Sequence, residues 1–524
     1  MTEMNPRTIP QVVAHAARRF GGQPAIQDGD TTLSFEELAD AGVRACRAFM
    51  ASGVAAGDRV AIWSPNAWEW VVAAIGLQSA GAVLVPLNTR LKGVEAGGIL
   101  RTSGAKLLCS VDGFLDTDYV GSLASESLPD LQETILLRGE RDGCTSWDDF
   151  LGRASEIEIE AARERASGVS PQDLSDMLFT SGTTGAPKGV MTAHGQNIQV
   201  FETWSDGVGL REGDRYLVVM PFFHSFGYKA GWLACLLKGA TCLPHPVFDA
   251  RVVLERIAKE RITVFPGAPA LYQSLLALPE LVSFDTSSLR LAVTGAASIP
   301  VELVERMRDE LGFDSVITAY GLTETCGTVT MCVQGDDPET IATTSGRAIP
   351  GIEVRCVDAQ GQPVPAGEPG EVVVRGYNVM RGYFRDEAET SKAIDEDGWL
   401  HTGDVGILDD KGYLRITDRV KDMFIMGGFN CYPAEIENLM FRHESIAQVA
   451  VIGIPDERMG EVAMAFIVPV PGARLLPEAI IDWCRDNMAN YKVPRRVEVV
   501  DALPMNASGK VTKFVLRERA LEGA

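Results

Sequence analysis

The chain has 524 residues, 46% of them hydrophobic and 23% charged, with a formal net charge of −23. Those proportions suit a globular protein with a large core, and the length covers about three to four usual domains. A chain this acidic is a poor match for general binding to nucleic acid or anionic membrane, which needs basic surface; a bound anion must meet locally placed positive charge.

In chain order, residues 8–20 predict an amphipathic helix with Ile9, Val12, Val13, Ala16 and Phe20 on one face. Short strands are expected at 25–26 and 32–33, around the Asp28-Gly29-Asp30 turn. Ser34 with Glu37 is a capping-box pair, so a helix is predicted over 35–52. A buried strand at 59–63, a helix at 68–81 and a strand at 82–86 follow. Strands at 106–109, 134–137, 216–220, 240–243, 263–265, 291–294 and 316–319 are expected. Helices at 231–237, 252–259, 270–276 and 301–311 alternate with the later strands. Such alternation argues for parallel sheet in an α/β layer.

The pattern changes near Gly346. Residues 353–413 are rich in Gly and Val and read as mostly β. A polar connector at 418–430 leads to a small α+β unit. It has helices at 433–441 and 477–487, strands at 447–453, 462–468 and 496–499, and a closing helix. The fold class expected is α/β. A large N-terminal domain, residues 1–418, holds layered mixed and parallel sheets with helices and a β-rich subdomain. A hinge spans 419–421, and a small mobile α+β domain spans 422–524.

Ten cysteines lie singly with no Cys-x-x-Cys pair, as free thiols in a reducing compartment would. Residues 1–20 lack the apolar core of a secretory leader. The most apolar long run, 71–87, is broken by Gln78, Ser79 and Pro86 and falls short of a spanning helix. A cytoplasmic protein without a membrane partner is expected.

Residues 179–189 stand out. Thr180, Ser181, Gly182, Thr183, Thr184, Gly185 and Lys188 place glycines, hydroxyls and one lysine after an apolar strand. Glycines leave backbone N–H groups uncovered, and these with hydroxyls and a lysine make a nest for phosphate oxygens. Lys188 is followed by Gly189, so the loop is not the common P-loop. A surface turn is the competing reading. Further on, Tyr320, Gly321, Thr323 and Glu324 offer an aromatic plane, a hydroxyl and a carboxylate within one short segment. A carboxylate beside polyphosphate calls for a cation, usually Mg²⁺. Asp404 follows a glycine and could accept from ribose hydroxyls, although a plain turn explains it as well. Arg419 could be a salt-bridge partner of a nearby aspartate, and Lys510 a solvated lysine.

The order of these segments is more telling than any one of them. From Leu33 to Lys510 the chain resembles the adenylate-forming superfamily of acyl-CoA synthetases, aryl-CoA ligases, firefly luciferase and peptide-synthetase adenylation domains. The resemblance implies a carboxylic acid:CoA ligase with ATP, Mg²⁺ and coenzyme A as small-molecule partners. An acyl-adenylate forms first, and a thiol then displaces AMP. It implies that Lys510 bridges the acid and the α-phosphate, and that residues 180–188 hold the β- and γ-phosphates. Thr180 and Glu324 would hold Mg²⁺, with Thr323 and Glu324 among the catalytic residues. Tyr320 would stack on adenine beside Gly295 and Ala296. Asp404 and Arg419 would meet ribose or phosphate. Lys421 would be the hinge, and Gly428 would line the pantetheine channel. Ser298 stands where the family usually has proline.

Residues 221–231 match the family's entrance to the acyl pocket. His224 would gate the site, although a packed core histidine is the plainer reading. Phe226, Lys229 and Gly321 would line the pocket. Lys229 would suit an acid with remote carbonyls; alternatively it reaches solvent or pairs with an acid. The Gly-Tyr-Lys-Ala-Gly string at 227–231 looks like actinobacterial ligases of steroid-ring degradation, which act on a bicyclic indanedione propanoate from the C and D rings of cholesterol. A medium-chain fatty acyl- or aryl-CoA ligase, or an enzyme loading a carrier protein, is the alternative. A nucleotide-binding regulator without catalysis fits less well with Lys188, Glu324 and Lys510 together. Whether copies of the chain form a homo-oligomer is open at this level.

Overall fold

The structure, a computed structural model, describes residues 6–180, 187–295, 299–419, 422–426, 429–456, 459–488, 490–505 and 511–522. Contacts divide the chain into two compact units. The first comprises residues 1–295, 299–353 and 375–400; the second comprises 296–298, 354–374 and 401–524. The β-rich segment is therefore split, with 354–374 and 401–413 in the unit of the C-terminal part and 375–400 in the first unit, whereas the sequence pattern alone suggests a cut near 419.

In the first unit, the opening helix Ile9–Phe20 is capped by Thr8, whose hydroxyl accepts from Gln11 N. Its apolar stripe is buried as its spacing requires. The helix Phe35–Ala51 starts on a full capping box: Glu37 N donates to Ser34 Oγ at 3.1 Å, and Ser34 N donates to Glu37 Oε2 at 2.8 Å.

The main sheet has eight strands. Its middle is parallel: Leu174–Thr180, Val83–Pro86, Arg59–Trp63, Ala105–Val111 and Glu133–Arg138 lie side by side. The helix Trp68–Ser79, buried nearly all round, connects two of these strands. At one edge the sheet turns antiparallel. Lys188–Ala193 returns along Leu174–Thr180, and the short strand Gly382–Tyr383 pairs outside it.

A second sheet runs Arg215–Val218, Thr241–Pro244, Pro24–Asp28, Thr31–Ser34, and a third runs Leu291–Gly295, Ser315–Tyr320, Thr330–Met331, Arg347–Ala348. The strand expected at 263–265 reduces to one residue, Val264, which bridges both Tyr216 and Leu291. The helix expected at 231–237 begins earlier, as a helical segment over Tyr228–Leu233 that kinks at Gly231, followed by Ala234–Lys238. The helix His194–Val208 and the return strand Lys188–Ala193 have no counterpart in the sequence-based expectation.

In the second unit, Ile352–Val357, Pro369–Gly376, Leu400–Leu408 and Leu414–Arg419 form a four-stranded sheet. A five-stranded sheet follows, centred on the long antiparallel pair Ile446–Asp456 and Gly460–Pro469. The helices Pro433–Met440, Pro477–Asn487 and Lys513–Glu522 accompany it. Its core includes Ile436, Met440, Val451, Phe466, Ile480 and Leu516. Nine of the ten cysteines are buried, Cys144 is half-exposed, and none forms a disulfide. Among the described residues, no helix is long and apolar enough to cross a membrane.

Candidate active site

The hairpin Leu174–Thr180/Lys188–Ala193 sets the first part of the site. Thr180 stands opposite Lys188 in the antiparallel register, so both flanks of the expected phosphate loop are fixed by sheet hydrogen bonds. Ser181, Gly182, Thr183, Thr184 and Gly185 lie outside the described residues.

Lys188 does not point free into solvent. Its ammonium forms an ion pair with Glu389 and lies 5.0 Å from the ring centroid of Tyr383. The bond from Lys188, aided by one from Lys392, pushes the Glu389 carboxyl down to about 2. The hydroxyl of Tyr383 donates to Glu324 Oε1 at 3.1 Å. That contact and burial raise the phenol above its ordinary range, burial being the larger cause. Lys188, Tyr383 and Glu324 thus form a continuous chain of contacts.

Glu324 lies in the short turn Thr323–Thr325, with Thr323 half-buried beside it. The backbone of the turn is held at both ends: Leu322 N donates to Thr325 Oγ1 at 2.9 Å, and Met380 N donates to the Glu324 carbonyl at 2.9 Å. Gly321, just before it, has no room for a side chain; a β-carbon there would stand 2.3 Å from the carbonyl oxygen of Gly327. Among the described residues, no group of three or more His, Cys, Asp and Glu could cage a metal. One carboxylate and a nearby hydroxyl fit Mg²⁺, which keeps several waters and takes further oxygens from phosphates.

Gly295 and Tyr320 come together at the C-terminal ends of neighbouring parallel strands, where Gly295 pairs in register with Ala319. In open α/β sheets, ligands settle at those ends. A β-carbon on Gly295 would lie 2.8 Å from the Ala319 carbonyl. Ala296 lies outside the described residues.

The segment 221–233 brings together His224, Phe226 and Lys229. His224 caps the short helix Ser225–Gly227, and its Nδ1 accepts from Phe226 N at 3.2 Å. Phe226 is half-buried. Lys229 is fully buried, and its Nζ stands 3.0 Å from Asp176 Oδ1. Of the alternatives for this lysine, pairing with an acid is the one observed. Its amine bonds protein groups, so a free ammonium aimed at substrate carbonyls is not what the structure contains.

In the second unit Asp404 is 5% exposed, and its backbone pairs in register with Arg419. Thr402 Oγ1 accepts from Asp404 N at 3.1 Å and donates to the Val372 carbonyl at 2.7 Å. The side chain of Arg419 and the whole of Lys421, Gly428 and Lys510 lie outside the described residues.

Sequence reasoning did not identify Tyr383, Glu389 or Asp176. Their partners lie 59, 201 and 53 positions away, so no local spacing announces them.

Residues 13–384 match the model of the AMP-binding enzyme family, and residues 435–510 match that of the AMP-binding enzyme C-terminal domain. A 7a-methyl-1,5-dioxo-octahydro-1H-inden-4-yl propanoyl:CoA ligase of Rhodococcus jostii is 51% identical, covering 99% of each chain. The Mycobacterium tuberculosis ligase of the same name is 49% identical over 98% of this chain and 99% of its own. Among solved structures, an anthranilate CoA ligase in complex with anthranoyl-AMP has a TM-score of 0.87 at 28% identity, covering 98% of both chains. The matched spans hold the hairpin, the Thr323–Thr325 turn and the 221–233 segment, and the chain belongs to the AMP-binding, adenylate-forming enzyme family as an ATP-dependent acid–CoA ligase.

Proposed function

We propose that the acid is a bicyclic diketo acid, the indanedione propanoate left from steroid C and D rings. The observation that carries this is the 51% identity, along the whole chain, to a ligase named for that acyl group. In the first half-reaction a carboxylate oxygen attacks the α-phosphorus of ATP, the bond to the β-phosphate breaks, and pyrophosphate leaves. In the second, the sulfur of coenzyme A attacks the acyl carbon, and AMP leaves with the electron pair of the broken bond.

The first step brings an anion to a polyanion, so preplaced positive charge and donors must offset the repulsion. In this reading Lys510 serves adenylation by bridging the acid and the α-phosphate, and residues 180–188 hold the outer phosphates. Thr180 and Glu324 hold Mg²⁺, which when bound neutralises phosphate charge. Tyr320 and the Gly295–Ala296 backbone take adenine, and Asp404 and Arg419 take ribose or phosphate. His224 and Phe226 border the acid, and Thr323 supports Glu324. Residues 419–421 act as a hinge between half-reactions, with Lys421 at the pivot and Gly428 beside the pantetheine arm. In this reading the functional division is 1–418 against 422–524, which differs from the two contact-defined units. The enzyme works in the cytoplasm, in keeping with ten cysteines none of which is in a disulfide.

The test is kcat/KM for the indanedione propanoate against octanoate and an aryl acid, read as AMP formed with CoA present. A preference of about tenfold or more for the diketo acid is expected. A preference for octanoate would overturn the substrate.

A further inference from the structure

A buried polar network lies under the phosphate-loop hairpin. At its centre, Asp176 and Lys229 are both 0% exposed, 3.0 Å apart. Lys229 Nζ also donates to Thr192 Oγ1 at 3.0 Å, and Thr192 in turn donates to Asp176 Oδ1 at 2.6 Å. Asp176 Oδ2 accepts from Ser175 Oγ at 2.7 Å and from Asn197 Nδ2 at 2.6 Å. Gln78 Nε2 donates to the Tyr228 hydroxyl at 2.8 Å and to the Ser175 carbonyl at 3.0 Å.

These residues come from five segments of the first unit, which the network joins. Asp176 and Thr192 face each other in register, each four positions from a loop flank, Thr180 or Lys188. Asn197 lies in the first turn of the helix His194–Val208. Tyr228 and Lys229 open the kinked helical segment that follows His224, whose backbone leaves the helical region at Gly231. Gln78 closes the helix Trp68–Ser79.

Stability is a weak reason for such a pair. Removing two charges from water roughly cancels their attraction, and apolar replacements are often no less stable. Asp176 and Lys229 are bonded to each other and both to Thr192, while Gln78 Oε1 and Asn197 Oδ1 at the margin of the network have no partner among the described residues; a charge pair held by several bonds favours one geometry. We infer that the Asp176–Lys229 pair is a positioning device for adenylation, locking the hairpin that ends in Thr180 and Lys188 to the segment that carries His224. The pyrophosphate side and the acid side of the reaction are thereby held in one register. This rests on the adenylation role given to those residues.

The hairpin serves the outer phosphates, which have left before the thiol attacks. A positioning pair should therefore affect the two half-reactions unequally. The test uses the full chain with Lys229→Met and Asp176→Asn combined, so that no lone buried charge remains. Acid-dependent ATP–pyrophosphate exchange should fall by about tenfold to a hundredfold. Thioester formation from supplied acyl-adenylate should change by less than about threefold. The melting midpoint should stay near that of the parent. Thr192→Val is the second probe, since it keeps the charges and the side-chain shape; it should lower exchange alone, by about threefold to tenfold. Exchange at the parent level in either folded variant, or equal loss of both half-reactions, would overturn the inference. If the double variant fails to fold, Thr192→Val decides. An inert parent chain would instead overturn the adenylation role of the hairpin.

Discussion

The hydroxyl of Tyr383 donates to Glu324 at 3.1 Å while its ring lies under the ammonium of Lys188. One side chain therefore touches both the expected metal ligand and the expected phosphate ligand. Tyr383→Phe keeps the ring and removes the donor. Glu324 loses its orienting bond, and the Mg²⁺ concentration for half-maximal adenylation should rise about threefold to tenfold. Tyr383→Ala should also raise KM for ATP, because the platform under Lys188 is gone. A Mg²⁺ titration of pyrophosphate exchange reads the first effect. An unchanged midpoint in the Phe variant would remove Tyr383 from the site.

In the proposed role, Lys188 exchanges the Glu389 carboxylate for phosphate when ATP binds. Glu389→Gln removes that competitor, so KM for ATP should fall about twofold to fivefold with little change in kcat. The carboxyl of Glu389 is depressed from 4.5 to about 2, first by its bond from Lys188. A depressed acid keeps its ion pair above its unfolded value and loses it as pH falls toward the folded one. Above about pH 5 the Glu389 carboxyl stays ionised, so no acid limb of the adenylation pH profile should disappear in Glu389→Gln. Steady-state kinetics at three pH values checks both statements.

The two half-reactions should separate by mutation at Lys510 and Lys421. Lys510→Ala should lower pyrophosphate exchange by about a hundredfold or more while sparing thioester formation from supplied acyl-adenylate. Lys421→Pro should do the reverse, since a frozen hinge holds the first state. Equal loss of both half-reactions in Lys510→Ala would argue against this division.

Stability should depend on pH through His194. The ring is 1% exposed, its Nδ1 accepts from Ile9 N at 3.3 Å, and burial pushes it down to about 4 from 6.5. Below 6.5 the unfolded chain takes up a proton that the folded chain refuses until about 4, so stability falls as pH drops through that window. From pH 7 to pH 5 this one group should remove about 2 kcal/mol. Urea unfolding at both pH values measures it, and His194→Gln should flatten that part of the dependence.

Much of the fold was legible because its signals are local. Thr8, Ser34 with Glu37, and the apolar stripe of Ile9–Phe20 each act within one or two turns of chain. The helix His194–Val208 carries only half of such a signal: Ala193 offers no side-chain cap, although Gln196 Oε1 accepts from Ala193 N at 3.0 Å. The return strand Lys188–Ala193 is set by pairing with Leu174–Thr180, which a reading of one segment at a time does not see. The motifs marked Thr180, Lys188 and Glu324 directly. The side chains that orient them, Tyr383 and Glu389, were hidden because their contacts are made by tertiary folding across long stretches of chain. Lys229 shows the converse. Its sequence position suggested a polar acyl pocket, and burial beside Asp176 gave it a protein partner.

The thiol inventory makes the chain its own folding gauge. Nine sulfurs are shielded and one, Cys144, is half-open. A maleimide added to the native chain should therefore label Cys144 quickly and leave the others slow. Mass spectrometry of the labelled chain would then count unfolding directly, as a second population carrying all ten adducts that appears at the same denaturant concentration as loss of activity.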